Sequence, residues 1–410
     1  PFRPFRPFRP FRPFRPFRRR TKLSTPPPEL EKKTITQKHY AHMANQITYP
    51  LTTDDSNNNR AGHWPHPLVI AETAFKYKSL SNWIANIAVG CFHGCAFCYV
   101  PSVSATKQAP RLRQMGVLDP DTEWGSYLAL RRWDEKKFLA SLRKAERTPI
   151  GSLNPDGNRA ILYCSTTDPF QVIHHPEPAA QRKLNRDIRH LVRCSLELIR
   201  DESTLNVRIL TRSPLAKREF ELFRSFGPRL LFGMSLPTLR NDLARIYEPN
   251  APSPSQRLRT LQAARAAGLH VYVAVAPTYP ESDEADLRET LAAVRDLDPV
   301  TVFHEPINIR SKNVKRIAEH AQKLGVNLRS EVFETTASWS EYALQSLHSV
   351  EKIATELDLL GRLHLWPDAK LGSTMVQQQV PNPELHTEWL QKWWSRVSEW
   401  PEGSLNCPSS

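Results

Sequence analysis

Long apolar runs are absent from the 410 residues of this chain, and that absence argues against a membrane-spanning protein. No stretch reaches the roughly 20 uninterrupted apolar residues that a transmembrane helix needs, and no apolar segment follows the basic start as a secretory signal requires. A hydrophobic content of 40% suits one large folded domain or two smaller ones. We therefore expect a cytoplasmic protein without a membrane partner.

Acidic residues are missing from the first 22 positions. Residues 1–18 are six copies of Pro-Phe-Arg, and residues 1–22 carry eight Arg and one Lys, so 14 − 9 = +5 of the net charge belongs to the rest of the chain. A proline at every third residue favours polyproline II, and alternating Phe and Arg suit stacking on bases and pairing with phosphates. Disorder without a dedicated role is the alternative. Because the folded body is only mildly basic, the high net charge is a weak argument for a nucleic-acid partner.

Cysteine is scarce, and half of the six cysteines are crowded into one loop. Cys91, Cys95 and Cys98 have the spacing C-x3-C-x2-C, whereas the others are scattered, which favours a cofactor in a reducing compartment over disulfides. Three thiolates hold three of the four irons of a 4Fe-4S cubane and leave one iron free for a substrate-like ligand. A zinc site with His93 or a distant residue as the fourth ligand is the alternative.

The run at residues 90–99 resembles the signature of the radical S-adenosylmethionine (SAM) superfamily, which has an aromatic residue before the last cysteine, here Phe97. The flanking residues resemble those of the subgroup around spore photoproduct lyase: Asn86, Gly90, His93, Gly94 and Tyr99. The resemblance extends over about residues 79–326. It implies a 4Fe-4S cluster that binds SAM at its open iron and passes it an electron from a donor such as flavodoxin or ferredoxin. The resulting 5′-deoxyadenosyl radical would abstract hydrogen from a substrate that the resemblance does not identify.

Beyond the cysteine loop, short apolar runs alternate with helical stretches, which indicates βα units and a parallel sheet. Strands are predicted at residues 83–89, 160–165, 207–211, 230–235, 270–276 and 300–304. Helices between them are predicted at residues 134–145, 180–200, 216–225, 254–267 and 282–297. Six such units predict an α/β fold with an incomplete parallel (β/α)6 barrel of the radical SAM type. The predicted domains are a disordered basic tail at 1–22, a linker at 23–62, the core at 63–330 and a helical C-terminal extension at 331–410.

Ligands of parallel α/β folds bind at the carboxyl ends of the strands, where several polar residues stand. Thr167 and Asp168 follow the second predicted strand. Arg212 follows the third, and Ser235 ends the fourth. A turn or helix cap would explain each residue alone, but together with the cysteine loop they favour SAM binding, which needs a cation for the carboxylate and hydroxyls for the ribose. The resemblance assigns Arg212 to the SAM carboxylate, Ser235 to a place near the cofactor, and Phe97 to packing against adenine.

The fifth and sixth predicted strands end in further polar residues for substrate contacts. They include His304 and Glu305, and the adjacent pair suggests proton transfer as one role for Glu305, with pairing to Arg310 as the alternative. The segment 247–250, Tyr-Glu-Pro-Asn, resembles a glutamate-proline turn of the same subgroup, for which we expect a structural or cofactor-positioning role. Tryptophans at helical spacing after residue 360 are expected to pack against the core.

Two residues bear on the choice between an unassigned substrate and DNA repair. In the lyase subgroup, a cysteine near the second strand returns hydrogen to the product radical and tyrosines beside the cluster relay it. Cys164 lies near that place and Tyr99 matches one tyrosine, but Phe97 stands at the other without a hydroxyl. We predict Cys164 and Tyr99 as catalytic residues, with an ordinary buried strand cysteine as the other interpretation of Cys164. The predicted function is a radical SAM enzyme of unassigned substrate. DNA photoproduct repair and a zinc-containing nucleic-acid-binding protein are the alternatives.

Overall fold

The structure is a computed structural model that describes residues 60–73 and 80–403. The predicted tail at 1–22 and the predicted linker up to residue 59 lie outside the described residues, as does Cys407. The first described strand begins at Arg60, close to the predicted start of the core at residue 63.

The described residues form the following strands: β1 (Arg60–Pro67), β2 (Ala71–Glu72), β3 (Trp83–Ile84), β4 (Ala88–Gly90), β5 (Tyr127–Arg132), β6 (Ala160–Tyr163), β7 (Asn206–Thr211), β8 (Leu230–Ser235), β9 (Val271–Thr278), β10 (Thr301–Pro306) and β11 (Leu363–Leu365). An eight-stranded sheet has the order β11-β10-β9-β8-β7-β6-β3-β2. Its strands from β3 to β11 pair in parallel, and β2 pairs antiparallel with β3. The edge strands β2 and β11 do not pair with each other within the described residues, so this sheet is not a closed barrel.

The helices of the described residues are α1 (Ala109–Gln114), α2 (Glu135–Glu146), α3 (Pro178–Glu202), α4 (Phe220–Arg224), α5 (Asn241–Tyr247), α6 (Pro254–Ala266), α7 (Glu284–Arg295), α8 (Asn313–Leu324), α9 (Thr336–Glu356), α10 (Thr374–Gln377) and α11 (Pro383–Trp394). Short 3-10 and π turns connect several of them. The long amphipathic helix α3 packs its apolar side, including Leu191 and Leu196, into the core, and its Ser195 accepts a hydrogen bond of 2.8 Å from Tyr163 of β6. Because the strands are buried on both faces, they read as nearly continuous apolar runs rather than alternating ones.

The parallel α/β prediction is confirmed, and the six predicted strands correspond to β3, β6, β7, β8, β9 and β10. Two details differ. The predicted strand at 83–89 divides into β3 and β4, which belong to different sheets, because the Ala85 amide still bonds to Leu162 of β6 whereas the Ile87 carbonyl accepts from Arg131 of β5. In addition, β11 lies in the segment predicted to be helical and adds a seventh parallel strand, with Leu363 opposite Val302. Three residues are too few for a periodic signal.

A second, three-stranded sheet has the order β1-β5-β4 and was not predicted. β1 is parallel to β5, and β4 is antiparallel to it. Trp64, Leu112 and Tyr127 form part of its separate small core. The edge strand β4 leads directly into the cysteine loop, so this sheet supports one side of the loop.

The start of α6 and the burial of two tryptophans agree with what the sequence predicts. Ser253 and Gln256 form a capping box at the start of α6, which corresponds to the helix predicted at 254–267. Trp366 and Trp393 are buried as core residues. None of the helices in the described part of the chain is both long and apolar enough to cross a membrane.

Candidate active site

A cavity of about 350 Å³ opens at the carboxyl ends of the parallel strands. All the residues predicted for catalysis, cofactor binding or cluster ligation line it: Cys91, Cys95, Phe97, Cys98, Tyr99, Cys164, Thr167, Asp168, Arg212 and Ser235. The structure therefore brings together side chains from the cysteine loop and from three successive strands. Which ligand each of them contacts stays a prediction.

Two glycines give the cysteine loop its path. Gly90 and Gly94 have φ angles of 95° and 58°, in the left-handed region that side-chain-bearing residues rarely adopt. A Cβ on Gly90 would lie 2.3 Å from the carbonyl oxygen of Tyr127, and one on Gly94 would lie 3.1 Å from the Cα of Gly125. Each glycine immediately precedes a cysteine, so the positions of Cys91 and Cys95 depend on these close backbone approaches.

Side chains that follow β6 hold the first half of the loop. The amide of Phe92 donates a hydrogen bond of 2.7 Å to the Gln171 side chain. The Thr167 hydroxyl donates to the carbonyl of Gly90 at 2.7 Å and accepts from Gln171 at 2.8 Å. Thr167 thus positions the cysteine loop in addition to lining the cavity, a role that its predicted contact with SAM does not include.

Helix α8 holds the second half of the loop through three consecutive carbonyl groups. Asn313 donates to the carbonyl of Phe97 at 3.1 Å. Arg316, one turn later, donates from Nε to the carbonyl of Ala96 at 3.1 Å and from Nη2 to the carbonyl of Cys98. The backbone around Cys98 is therefore fixed from outside the loop, by a helix that the sequence did not connect with it.

Cys91 and Cys95 are buried, Cys98 is partly buried, and two cations lie close to these thiols. Burial raises the pKa of the Cys91 thiol to about 12 and also raises the pKa of Cys95 and of Cys98. Arg212 opposes this rise in pKa at Cys95, and Arg316 and Arg212 oppose it at Cys98. Metal uptake at these thiols must release protons, and the cations favour that release. Three thiols around one cavity are the donor set of an iron–sulfur cluster with one open iron, so these residues fit the predicted group.

Within the part of the chain that the structure describes, a single zinc ion has no matching set of ligands. Among residues 60–73 and 80–403, no group of three or more His, Cys, Asp or Glu side chains is arranged to hold a metal ion. The cysteines of a cubane bind different irons, so their sulfurs stand further apart than ligands of one ion. His93, the suggested fourth zinc ligand, instead faces Asp168, with 3.6 Å between Nδ1 and Oδ2. Burial lowers the pKa of His93 despite this carboxylate, which keeps the ring neutral at pH 7.

Arg212 is held in place by a buried carboxylate. Its Nε lies 2.5 Å from Glu248 Oε1, and Glu248 also forms an ion pair with the buried Arg257. Burial alone would raise the pKa of Glu248, but Arg257 and Arg212 hold that pKa below its usual range. The Arg212 guanidinium lies 5.8 Å from the centre of the Phe97 ring. A cation and an aromatic ring thus stand together on the cavity wall, as SAM binding would need.

Asp168 connects the second and third strands at the cavity edge. Its carboxylate accepts hydrogen bonds from the Thr211 hydroxyl at 2.7 Å and from the backbone amides of Arg212 and Phe170 at 2.7 and 2.8 Å. Because protein donors already engage both carboxylate oxygens, Asp168 positions the backbone of Arg212. Ser235 is buried on the neighbouring strand, and its carbonyl accepts from Arg257 at 3.2 Å.

Cys164 and Tyr99 line the same cavity as the cysteine loop. The Cys164 thiol donates to the carbonyl of Ala85 at 3.1 Å. Burial raises the pKa of Cys164 and of Tyr99, so both keep their hydrogens at neutral pH. A protonated thiol and a protonated phenol are the states that hydrogen-atom transfer requires.

The far wall of the cavity comes from β10 and the segment after it. Glu305, Asn308 and Arg310 line the cavity, and Asn308 donates to Glu305 at 3.0 Å. His304 does not line it, because successive residues of a strand face opposite sides. Its ring contacts the carbonyl of Val275 at 2.9 Å on the side away from the cavity. The expectation that His304 stands in the cavity beside Glu305 is therefore wrong, whereas a role of Glu305 in proton transfer stays a prediction.

Several residues of the site carry no local signal in the sequence. Arg257 and Arg316 look like ordinary helix arginines, and Asp121 lies in an unpredicted insertion between the cysteine loop and β5. Trp366, from the C-terminal extension, also lines the cavity. Only the assembled fold brings these side chains to the cysteine loop or to the cavity.

Comparisons with known proteins support the same architecture. No protein-family model matches the chain. The uncharacterized protein ORF301 of Acidianus two-tailed virus is 28% identical over 262 residues, which cover 62% of this chain and 76% of that protein. A solved structure of a spore photoproduct lyase double mutant with bound AdoMet and dinucleoside spore photoproduct is similar, with a TM-score of 0.53 and 13% identity. The similarity covers 80% of this chain and 92% of that one.

A single-residue mutant of the same lyase gives a TM-score of 0.54 at 14% identity, over 80% of this chain and 94% of that one. At such low identity the similarity concerns the fold. This chain therefore shares its fold with spore photoproduct lyase.

Proposed function

We propose that the protein is a radical SAM enzyme that acts on an unassigned substrate. The observation that carries the proposal is the convergence of three thiols and the cation of Arg212 on one cavity at the carboxyl ends of the parallel strands. In this proposal Cys91, Cys95 and Cys98 hold a 4Fe-4S cluster. When bound, the cluster would supply the electron for reductive cleavage of SAM and so give access to the 5′-deoxyadenosyl radical.

The chain's own residues would bind and orient SAM. Arg212, fixed by Glu248, would pair with the SAM carboxylate, and a charged hydrogen bond of this kind contributes about 1.5–3 kcal/mol. The hydroxyls of Ser235 and Thr167 stand on the cavity wall for the ribose, and Phe97 offers a ring for adenine. The roles of Arg212 and Phe97 rest on the sequence resemblance, and the ribose contacts of Ser235 and Thr167 rest on the position of these residues at the strand ends.

The cavity walls would also protect a reactive intermediate from water. Leu162, Leu210 and Ala274 line the cavity on the strand side, and Pro277 and Ile307 continue this apolar wall. An apolar wall that faces a set of placed polar groups is typical of sites that bind small molecules. A flavodoxin or ferredoxin as electron donor and a cytoplasmic location stay part of the proposal.

The direct test is SAM cleavage by the anaerobically reconstituted, chemically reduced protein. We expect methionine and 5′-deoxyadenosine in equal amounts, separated and quantified by liquid chromatography. Cys95→Ala should abolish the reaction, whereas Cys194→Ala, on α3 and outside the cavity lining, should retain it. Intact SAM after incubation with protein that holds a reduced cluster would contradict the proposed chemistry.

Repair of a DNA photoproduct is the second candidate function. The observation that favours it is that Cys164 lines the same cavity as the cluster cysteines, with its thiol kept protonated by burial. This placement suits a residue that returns hydrogen to a product radical. The absence of a hydroxyl at Phe97 weighs against a relay like that of the lyase subgroup.

Incubation with dinucleoside spore photoproduct tests this candidate. A lyase would release the repaired dinucleotide, and Cys164→Ala should reduce the yield of that product while leaving SAM cleavage measurable. SAM cleavage without any change in the photoproduct would leave the broader radical SAM proposal in place and remove the repair function.

A further inference from the structure

Arg316 and Asp121 form a largely buried ion pair behind the last cluster cysteine. The side chain of Arg316 is 13% exposed and that of Asp121 is 6% exposed, so solvent screens their charges weakly. Ser102 donates a hydrogen bond of 2.7 Å to the Asp121 carboxylate and helps to hold it. The pair joins the insertion between the cysteine loop and β5 to helix α8, two parts of the chain that are 195 residues apart.

The charges of Arg316 and Asp121 differ in how directly they contact the cysteine loop. Arg316 contacts the loop directly through the carbonyls of Ala96 and Cys98. Asp121 is connected to the loop indirectly, through its ion pair with Arg316 and through its hydrogen bond with Ser102, a residue that follows the loop in the chain. The cation should therefore dominate the electrostatic effect at Cys98, with the carboxylate reducing it.

We propose that the Arg316–Asp121 pair sets the reduction potential of the cluster held at Cys98, an inference that rests on the proposed function. The potential of an iron–sulfur cluster depends on nearby charge, hydrogen bonding and solvent exposure. A buried cation stabilises the reduced, more negative cluster and raises its potential, and a buried anion has the opposite effect. Arg316 therefore makes the cluster easier to reduce, and Asp121 limits that gain.

The test is a redox titration of the reconstituted protein, followed by electron paramagnetic resonance, on two variants with opposite expected signs. Arg316→Gln removes the cation and should shift the midpoint potential in the negative direction. Asp121→Asn removes the anion and should shift it in the positive direction. Arg316→Lys keeps the charge and should stay closer to wild type than Arg316→Gln.

A cation on the same helix provides the matched control. Lys315 is exposed and pairs with Glu319 at 3.6 Å, so Lys315→Gln should leave the potential at the wild-type value. Iron and sulfide content is measured for every variant. If the pair had a purely structural role, Arg316→Gln and Asp121→Asn would both hold less cluster or would shift the midpoint potential in the same direction.

Shifts of equal sign, or unchanged potentials in variants with full iron content, would overturn the inference. If Arg316→Gln fails to hold a cluster, Asp121→Asn alone decides, and an unchanged or more negative potential there contradicts the inference. If neither variant holds iron, the pair is structural and the inference is wrong. A wild-type protein without any cluster would instead overturn the proposed function itself.

Discussion

The Nε atom of Arg212 lies 2.5 Å from the carboxylate of Glu248, which is itself fully buried and also paired with Arg257. One carboxylate thus orients one cation at the cavity wall and neutralises another behind it. Removing Glu248 would leave the buried Arg257 and the partly buried Arg212 without their common partner, and breaking a buried ion pair in this way typically costs about 3–5 kcal/mol.

We therefore expect Glu248→Gln to lower the free energy of unfolding by an amount in that range. Denaturant unfolding of the cluster-free protein, monitored by circular dichroism, measures the change. Glu289→Gln, at an exposed position on α7, is the matched control and should stay within about 0.5 kcal/mol of wild type. Equal stability of the two variants would show that Glu248 does not hold the two arginines.

Arg212→Ala should weaken SAM binding by about 10- to 150-fold, because a charged hydrogen bond to a carboxylate contributes about 1.5–3 kcal/mol. Equilibrium dialysis of reconstituted protein under anaerobic conditions gives the affinity, and iron analysis shows whether the cluster is intact. Lys217→Ala, an exposed cation nearby in the chain, should bind SAM like wild type. Wild-type affinity in Arg212→Ala with a full cluster would remove Arg212 from the SAM site.

The sequence predicted the fold well where the signal is local. The buried strands appear as apolar runs, and the cysteine spacing identifies the loop because Cys91, Cys95 and Cys98 are close in the chain. The small sheet was not predicted because the sequence of β1 is mostly polar and contains two prolines, Pro65 and Pro67, which is not typical of a strand. Pairing with β5, 60 residues later, is what makes it a strand.

The candidate site was predictable only for residues next to a recognisable motif or strand end. Arg212 and Ser235 follow apolar runs, so the rule about carboxyl ends of parallel strands applies to them. Arg316 and Asp121 follow no such rule, because their importance arises from a contact across 195 residues. His304 illustrates the opposite error, since adjacency in the chain placed it beside Glu305 although a strand sends neighbours to opposite faces.

The cluster-free protein should lose stability at alkaline pH through Cys91. Burial raises the pKa of this thiol from its ordinary value of 9.0 to about 12. Below pH 9 the thiol is protonated in both the folded and unfolded states, and its contribution to stability does not change. Between pH 9 and about 12 the unfolded chain loses the proton first, so the free energy of unfolding falls as pH rises.

Comparison with Cys91→Ala isolates this effect in denaturant unfolding at pH 8, 9 and 10. For each protein, the free energy of unfolding is plotted against pH. The slopes for wild type and Cys91→Ala should differ by almost one proton, which is about 1.4 kcal/mol per pH unit. The cavity left by the alanine changes the level of the curve and not this slope. Parallel curves for the two proteins would contradict the raised pKa of Cys91.

Deleting residues 1–22 should weaken salt-sensitive binding of single-stranded nucleic acid and leave SAM cleavage unchanged. The segment lies outside the described residues, but its nine cations are read directly from the sequence. Each phosphate contact on a single strand contributes about −0.7 to the slope of log affinity against log salt, so the slope should become flatter. A full slope after the deletion would place nucleic-acid binding on the folded body and favour the repair function.

In the proposed enzyme, Cys91, Cys95 and Cys98 hold an iron–sulfur cluster in the cavity at the strand ends. Anaerobic reconstitution followed by iron, sulfide and zinc analysis, with electron paramagnetic resonance of the reduced protein, tests it most directly. We predict about four irons and four sulfides per chain in wild type and in Cys194→Ala, and loss of the cluster in Cys91→Ala, Cys95→Ala and Cys98→Ala. Stoichiometric zinc without iron or sulfide in the wild-type protein would contradict the account.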